Sequence, residues 1–157
     1  MNITEALFLD KISPEKVSQD FYSIIKGFEE VSKENKRQIN YFDLFILFAF
    51  YTYKTAIDEF TRVQYDRHTT FKNRIERNPD IFANIQLRYS EGLSFCKKAI
   101  LYSINNRILN MDEELNIYTI ENKHIKINTQ LKNIGKTFST KSTNELFNYF
   151  EVNINEI

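Results

Sequence analysis

"LFILFAFY", residues 44–51, constrains this chain more than any other stretch. Its only side-chain polar atom is the Tyr51 hydroxyl. A helix that is apolar all round has no face to give to water and must be covered on every side. A membrane span would need about 20 apolar residues, and Asp43 and Lys54 close this run far short of that. The stretch therefore predicts the central helix of a soluble core, over about 41–60.

What covers it should be helical too. The chain has 157 residues but only three Gly and two Pro. So few chain breakers favour long helices over a turn-rich β fold. Ser13-Pro14 is a cap followed by a first-turn proline. Val17, Phe21, Ile24, Phe28 and Val31 then recur every three or four residues, which predicts a helix over 14–31. "SKENKRQIN", 32–40, reads as a polar connection. Asn78-Pro79-Asp80 starts another helix, with Ile81, Phe82, Ile85 and Tyr89 on its apolar face. Gly92 is read as a break, and Leu93, Cys96, Ile100 and Ile104 as a further helix over 93–109.

The period then changes. Around Asp112, Glu113 and Glu114 lie two short runs, and Leu115, Ile117 and Thr119 alternate with Asn116, Tyr118 and Ile120. This predicts a β-hairpin over 108–120. "HIKIN", 124–128, is a short strand or an extended linker. A helix over about 129–136 follows, with Gly135 as a left-handed C-cap and Lys136 complementing the negative helix end. Ser142-Thr143-Asn144-Glu145 is a capping box for a last helix. The expected class is mainly α with a small β-hairpin: a helical bundle containing a winged-helix-like unit. Residues 1–40 read as an N-terminal helical arm and 41–157 as the helical, winged-helix-like core.

The chemistry-bearing residues exclude more than they suggest. "IGKTFST" ends as a phosphate loop ends, but the position five before Gly135 is Gln130, and "INTQLKN" has no glycine. Without those glycines backbone amides cannot wrap a phosphate. The two histidines, His68 and His124, stand far apart and outside any metal-ligand spacing. Cys96 lies in an apolar helical stretch and reads as a small buried hydrophobe. No acid/base pair is recognisable among the carboxylates. No catalytic, metal or cofactor site is expected, and no enzyme activity. The N-terminal "MNITEALFLDKISPEK" lacks the features of a signal peptide, so a cytoplasmic location is expected and no membrane association.

Lys plus Arg and Asp plus Glu number 21 each. Net charge near zero gives no global steering toward DNA. Locally, Arg62, Arg67, Lys72, Arg74 and Arg77 form the most basic stretch, with Tyr65 and Phe71 interleaved. They are the candidate DNA contacts; a solvated connection, partly neutralised by Asp66 and Glu76, is the competing reading. "KKAILYSINNR", Lys97 to Arg107, is a second candidate as a recognition helix. The surplus of Phe and Tyr fits either protein interfaces or a large aromatic core.

The order of features from 41 to 154 resembles the middle component of bacterial three-component ABC systems, among the Lamassu-type anti-phage defence systems. The apolar helix "YFDLFILFAFYTYKTAIDEF", the stretch "RNPDIFANIQLRYSEGLSFCKKAILYSINNRILNMDEELNIYTI" and the ending "LKNIGKTFSTKSTNELFNYFEVNI" carry the likeness. Its signature, Gly-Arg/Lys-x-Phe before a short helix with an aliphatic-Phe pair, falls here on Gly135, Lys136, Phe138, Leu146, Phe147 and Phe150. Two features depart: residues 1–13 lack an Asn-Pro, and Glu151 stands where Gly is expected before Val152. The resemblance implies a non-catalytic subunit in a hetero-oligomer with an SMC/Rad50-like ABC ATPase and an effector, often a nuclease. DNA would be reached through the complex. The alternative from the residues alone is a free-standing winged-helix DNA-binding regulator.

Overall fold

The computed structural model describes residues 12–35, 37–61 and 79–153. In them the chain is mainly helical with one two-stranded antiparallel hairpin: α1 (Pro14–Asn35), α2 (Tyr41–Tyr51), α3 (Lys54–Thr61), α4 (Pro79–Asn105), β1 (Leu109–Met111), β2 (Ile117–Thr119), α5 (Thr129–Phe138) and α6 (Thr143–Phe150). The segments 1–11 and 62–78 lie outside the described residues, and with them Asn78 and all five candidate DNA-contact residues.

α1 begins as its sequence dictates. The Ser13 hydroxyl accepts from Lys16 N at 3.1 Å. Val17, Phe21, Ile24 and Phe28 are fully buried, and the helix runs on to Asn35, whose amide donates to Ser139 Oγ at 2.8 Å.

α2 occupies the centre, and every residue from Leu44 to Phe50 is buried. Its start is fixed by a reciprocal cap. Asn40 Oδ1 accepts from Phe42 N at 3.1 Å, and Asp43 Oδ2 accepts from Asn40 N at 2.8 Å. The single helix expected over 41–60 is two. Thr52 turns its hydroxyl back onto the Phe48 carbonyl at 2.7 Å, and the Arg88 guanidinium takes up the Thr52 carbonyl at 3.0 Å. The carbonyl that would continue the ladder is thus bound to a side chain, and α3 restarts at Lys54.

α4 is one 27-residue helix, so Gly92 is not a break. Glycine is needed there for a different reason: a Cβ would sit 2.7 Å from Phe48 Cε1. The segment 79–120 is accordingly one helix and a hairpin, not two helices and a hairpin. In the hairpin Leu109 pairs with Thr119, Asn110 with Tyr118 and Met111 with Ile117. Ile39–Tyr41 lies along β2 as a short extension, with Ile117 N donating to Ile39 O at 2.9 Å and Tyr41 N to Leu115 O at 2.8 Å. Residues 124–128 form no strand.

α5 corrects the reading of Gly135. The helix continues to Phe138 with Ser139 as its C-cap, and no described glycine has positive φ. Gly135 faces α1, where a Cβ would fall 2.0 Å from Ile24 O. Gly27 of α1 returns the contact, with a Cβ 2.0 Å from Lys132 O. Two glycines thus let two helix backbones touch. α6 is capped by the expected box: Ser142 Oγ accepts from Glu145 N, and Glu145 from Ser142 N at 2.7 Å.

The aromatic residues are largely consumed by this core. Phe50 meets Phe138 at 4.9 Å and Phe150 at 6.4 Å between ring centroids, and Phe21 and Phe48 meet edge-on at 6.5 Å. Edge-to-face pairs at such distances add about 0.5–1.5 kcal/mol each beyond burial.

Candidate docking cleft at the hairpin end

The end of α1, the start of α2, the hairpin turn and the start of α6 converge on one ion pair. Arg37 Nη2 lies 2.7 Å from Asp43 Oδ1, with 14% of the arginine side chain and none of the aspartate exposed. The same nitrogen reaches Thr143 Oγ1 at 3.3 Å, and Nη1 reaches the Gln38 carbonyl at 3.3 Å. The guanidinium lies 5.1 Å over the Phe28 ring. A buried charge is tolerated only when paired and hydrogen-bonded. Here Arg37 and the Asn40 N–H satisfy Asp43, so the residue that caps α2 also anchors the α1–α2 connection.

The neighbouring turn is built on Asp112. Its carboxylate accepts from Glu114 N at 3.0 Å, Asn116 N at 2.9 Å, Asn116 Nδ2 at 3.1 Å and the Tyr118 hydroxyl at 3.1 Å. Desolvation works to raise its pKa, and the hydrogen bonds from Asn116, Tyr118 and Glu114 together outweigh it, so the carboxyl titrates below its ordinary range. The turn forces Leu115 to φ 64°, a conformation a bulky side chain rarely adopts. Tertiary contacts hold it there: Leu115 N donates to Asp112 O at 3.1 Å, and its carbonyl accepts from Tyr41.

Between these features lies an open cleft of about 480 Å³, lined among others by Arg37, Gln38, Asn40, Phe42, Leu115 and Asn144. Two apolar side chains, Phe42 and Leu115, sit in a rim of amides and hydroxyls. Such a surface offers hydrogen bonds and an apolar contact. Its lining contains neither Cys nor His.

Other sequence-derived candidates fall elsewhere. Phe138, Leu146, Phe147 and Phe150 are buried in the core. Lys136 pairs with Glu30 of α1 at 2.5 Å, and Lys132 pairs with the same carboxylate. "IGKTFST" is therefore the last turns of a helix and its cap. Cys96 is fully buried with Sγ 3.7 Å from the Leu44 carbonyl, and burial pushes its thiol pKa well up. It is a thiol, not a thiolate nucleophile. His124 is exposed, and His68 lies outside the described residues. Among the described residues no group of three or more His, Cys, Asp or Glu is placed to hold a metal ion. No helix among them is long and apolar enough to cross a membrane. Sequence reasoning passed over Arg37 as part of a polar connection, although Asn40-x-x-Asp43 is itself a legible capping signal.

Fold and site together define a mainly helical protein with an aromatic core and, at its hairpin end, an open cleft of mixed polar and apolar lining. The chain belongs to the family described as ABC-three component (ABC-3C) system Middle Component 3, which it matches over residues 1–153. The match takes in the first forty residues, where the resemblance in the sequence began only at 41. No curated protein and no solved structure matches the chain.

Proposed function

We propose that this chain is a non-catalytic assembly and regulatory subunit of a Lamassu-type anti-phage defence complex in the bacterial cytoplasm. It bridges an SMC/Rad50-like ABC ATPase and an effector of the nuclease kind. The family match over residues 1–153 carries this reading, because it makes the chain one component of a multi-component ABC system. The buried, protonated Cys96 supports it. So does the cleft, whose Phe42 and Leu115 within a hydrogen-bonding rim suit a segment of a protein partner. The ATPase supplies nucleotide hydrolysis and most of the DNA affinity. Arg62, Arg67, Lys72, Arg74 and Arg77 touch DNA only from within the complex. Five such charges alone give modest, strongly salt-sensitive binding.

A tagged pull-down from the native host, with mass spectrometry, tests this. An SMC-like ATPase at near-stoichiometric yield is the expected result, and the exposed cleft substitution Asn144→Arg should deplete a partner without lowering the melting temperature. A lone, folded chain that binds DNA in a salt-dependent way would replace this reading with the free-standing winged-helix regulator.

A further inference from the structure

The walls of the hairpin-end cleft are uneven in the hydrogen bonds they have left. The cationic and donor groups are largely engaged within the chain. Arg37 is held by Asp43, Thr143 and the Gln38 carbonyl. The N-terminus of α2 is closed by Asn40 and Asp43, and that of α6 by Ser142 and Glu145. Three side-chain amide nitrogens of the lining also have internal partners. Gln38 Nε2 donates to the Ile117 carbonyl at 2.8 Å, Asn40 Nδ2 to the Glu114 carbonyl at 3.2 Å and Asn116 Nδ2 to Asp112 Oδ2 at 3.1 Å.

The acceptors are a different matter. Each of those nitrogens faces an oxygen, which fixes the orientation of its amide. Gln38 Oε1 and Asn116 Oδ1 then accept nothing from the described residues. Glu114 is the sharpest case. Its N–H donates to Asp112 at 3.0 Å and its carbonyl accepts from Asn40, so its backbone is held on both sides. Its exposed carboxylate makes no hydrogen bond or ion pair with any described residue. The cleft therefore keeps one negative charge and several lone pairs beside Phe42 and Leu115. A hard metal ion is held by several carboxylates or carbonyls, and Glu114 is the single carboxylate of the lining. An organic cation on an apolar stem uses every one of these features.

We infer that the cleft receives an arginine side chain of a protein partner, with the guanidinium against Glu114 and the amide oxygens of Gln38 and Asn116, and the stem against Phe42 and Leu115. Arginine fits better than lysine, because its planar fork serves several acceptors at once and its face stacks on an aromatic ring. That the arginine belongs to a protein partner rests on the subunit reading above; the preference for a cation rests on the cleft alone. An exposed carboxylate contributes little by itself, so a single arginine should bind with a Kd of about 1 mM.

The probe is N-acetylarginine amide, titrated into the 15N-labelled full chain. N-acetylcitrulline amide, alike in shape but uncharged, is the control. The arginine compound should shift the side-chain amide resonances of Gln38, Asn116 and Asn144, approaching saturation at about 10 mM, and citrulline should leave them in place. Glu114→Gln should weaken the binding about threefold, whereas Glu113→Gln, outside the lining, should not change it. Equal shifts from arginine and citrulline would overturn the inference, as would no shift from arginine at about 10 mM. So would N-acetylglutamate amide moving the same resonances in its place. In the pull-down, Glu114→Lys should deplete a partner. Full recovery of every partner with Glu114→Lys would overturn the inference and leave the subunit reading intact. A lone chain that still prefers arginine to citrulline would overturn the subunit reading and leave the cation preference of the cleft.

Discussion

Glu151 closes α6 at φ 49° and ψ 37°, in the left-handed region. A side chain there costs about 1–2 kcal/mol relative to the right-handed form, and glycine is the usual occupant. Glu151→Gly should therefore stabilise the protein by about 0.5–1 kcal/mol after the extra chain entropy is subtracted. Differential scanning calorimetry would read this as a rise of about 1–4 °C; a fall would show that the carboxylate makes a compensating contact. The glycine anticipated before Val152 is thus a position the backbone still wants as glycine. Asp20 gives the pH-dependent case. It is only 8% exposed. Burial raises its pKa above the ordinary 3.8, and the Lys16 ammonium 2.8 Å away offsets that only in part. The folded state holds this proton to higher pH than the unfolded state does. Its contribution to stability is thus complete below pH 3.8 and is lost as pH rises through the folded pKa. Asp20→Asn should raise the melting temperature at pH 7, and the gap should close as pH falls toward 3.8. Lys16 is too exposed for the lost pair to matter much. A gap that is constant with pH would remove the titration from the explanation.

At the scale of elements, the α1–α5 crossing decides most. Gly27 and Gly135 each place backbone against backbone, where no side chain can yield. Gly135→Ala should cost about 1–3 kcal/mol, although alanine gains about 1 kcal/mol in intrinsic helix propensity. Gly92→Ala meets only the edge of the Phe48 ring and should cost less. Urea denaturation of both variants gives the comparison; equal midpoints would contradict the close crossing. Glu30, held by Lys132 and Lys136 below its ordinary pKa of 4.5, ties the same helices on their exposed side. Phe138 carries α5 into the centre, packed on Phe50 and stacked with Phe150 at 6.5 Å. Phe138→Ala should therefore cost about 3–5 kcal/mol, read as a drop in the same urea midpoint, and an unchanged midpoint would refute that packing. The capping box of α6, the α1 stripe and the hairpin were legible because each is written in residues close together in the chain. The division of α2 from α3 was not, since Arg88 stabilises it from another helix.

For the molecule as a whole, the C-terminal helices are part of the core and not an appendage. Leu131, Ile134, Phe138, Leu146, Phe147 and Phe150 all join the single buried cluster that contains α1 and α2. A chain ending at residue 128 would leave one side of α2 facing water. It should lose its cooperative thermal transition by circular dichroism; a retained transition would mean the first helices suffice. The same integration explains why the cleft could not be read in advance. Its residues come from four elements spread between positions 37 and 144, and only the folded chain assembles them.

The sequence by itself determined that "LFILFAFY" would be buried, that helices would cover it, and that Ser13, Ser142 and the hairpin would fall where they do, because side-chain period and capping chemistry act over one to four residues. Only the tertiary structure decided what the three glycines are for, and that Leu115 must stand strained beside Phe42. Each of those depends on an atom supplied by a distant part of the chain. The glycine of "IGKTFST", alike in composition to a phosphate loop, is there because the Ile24 carbonyl occupies the space a Cβ would need.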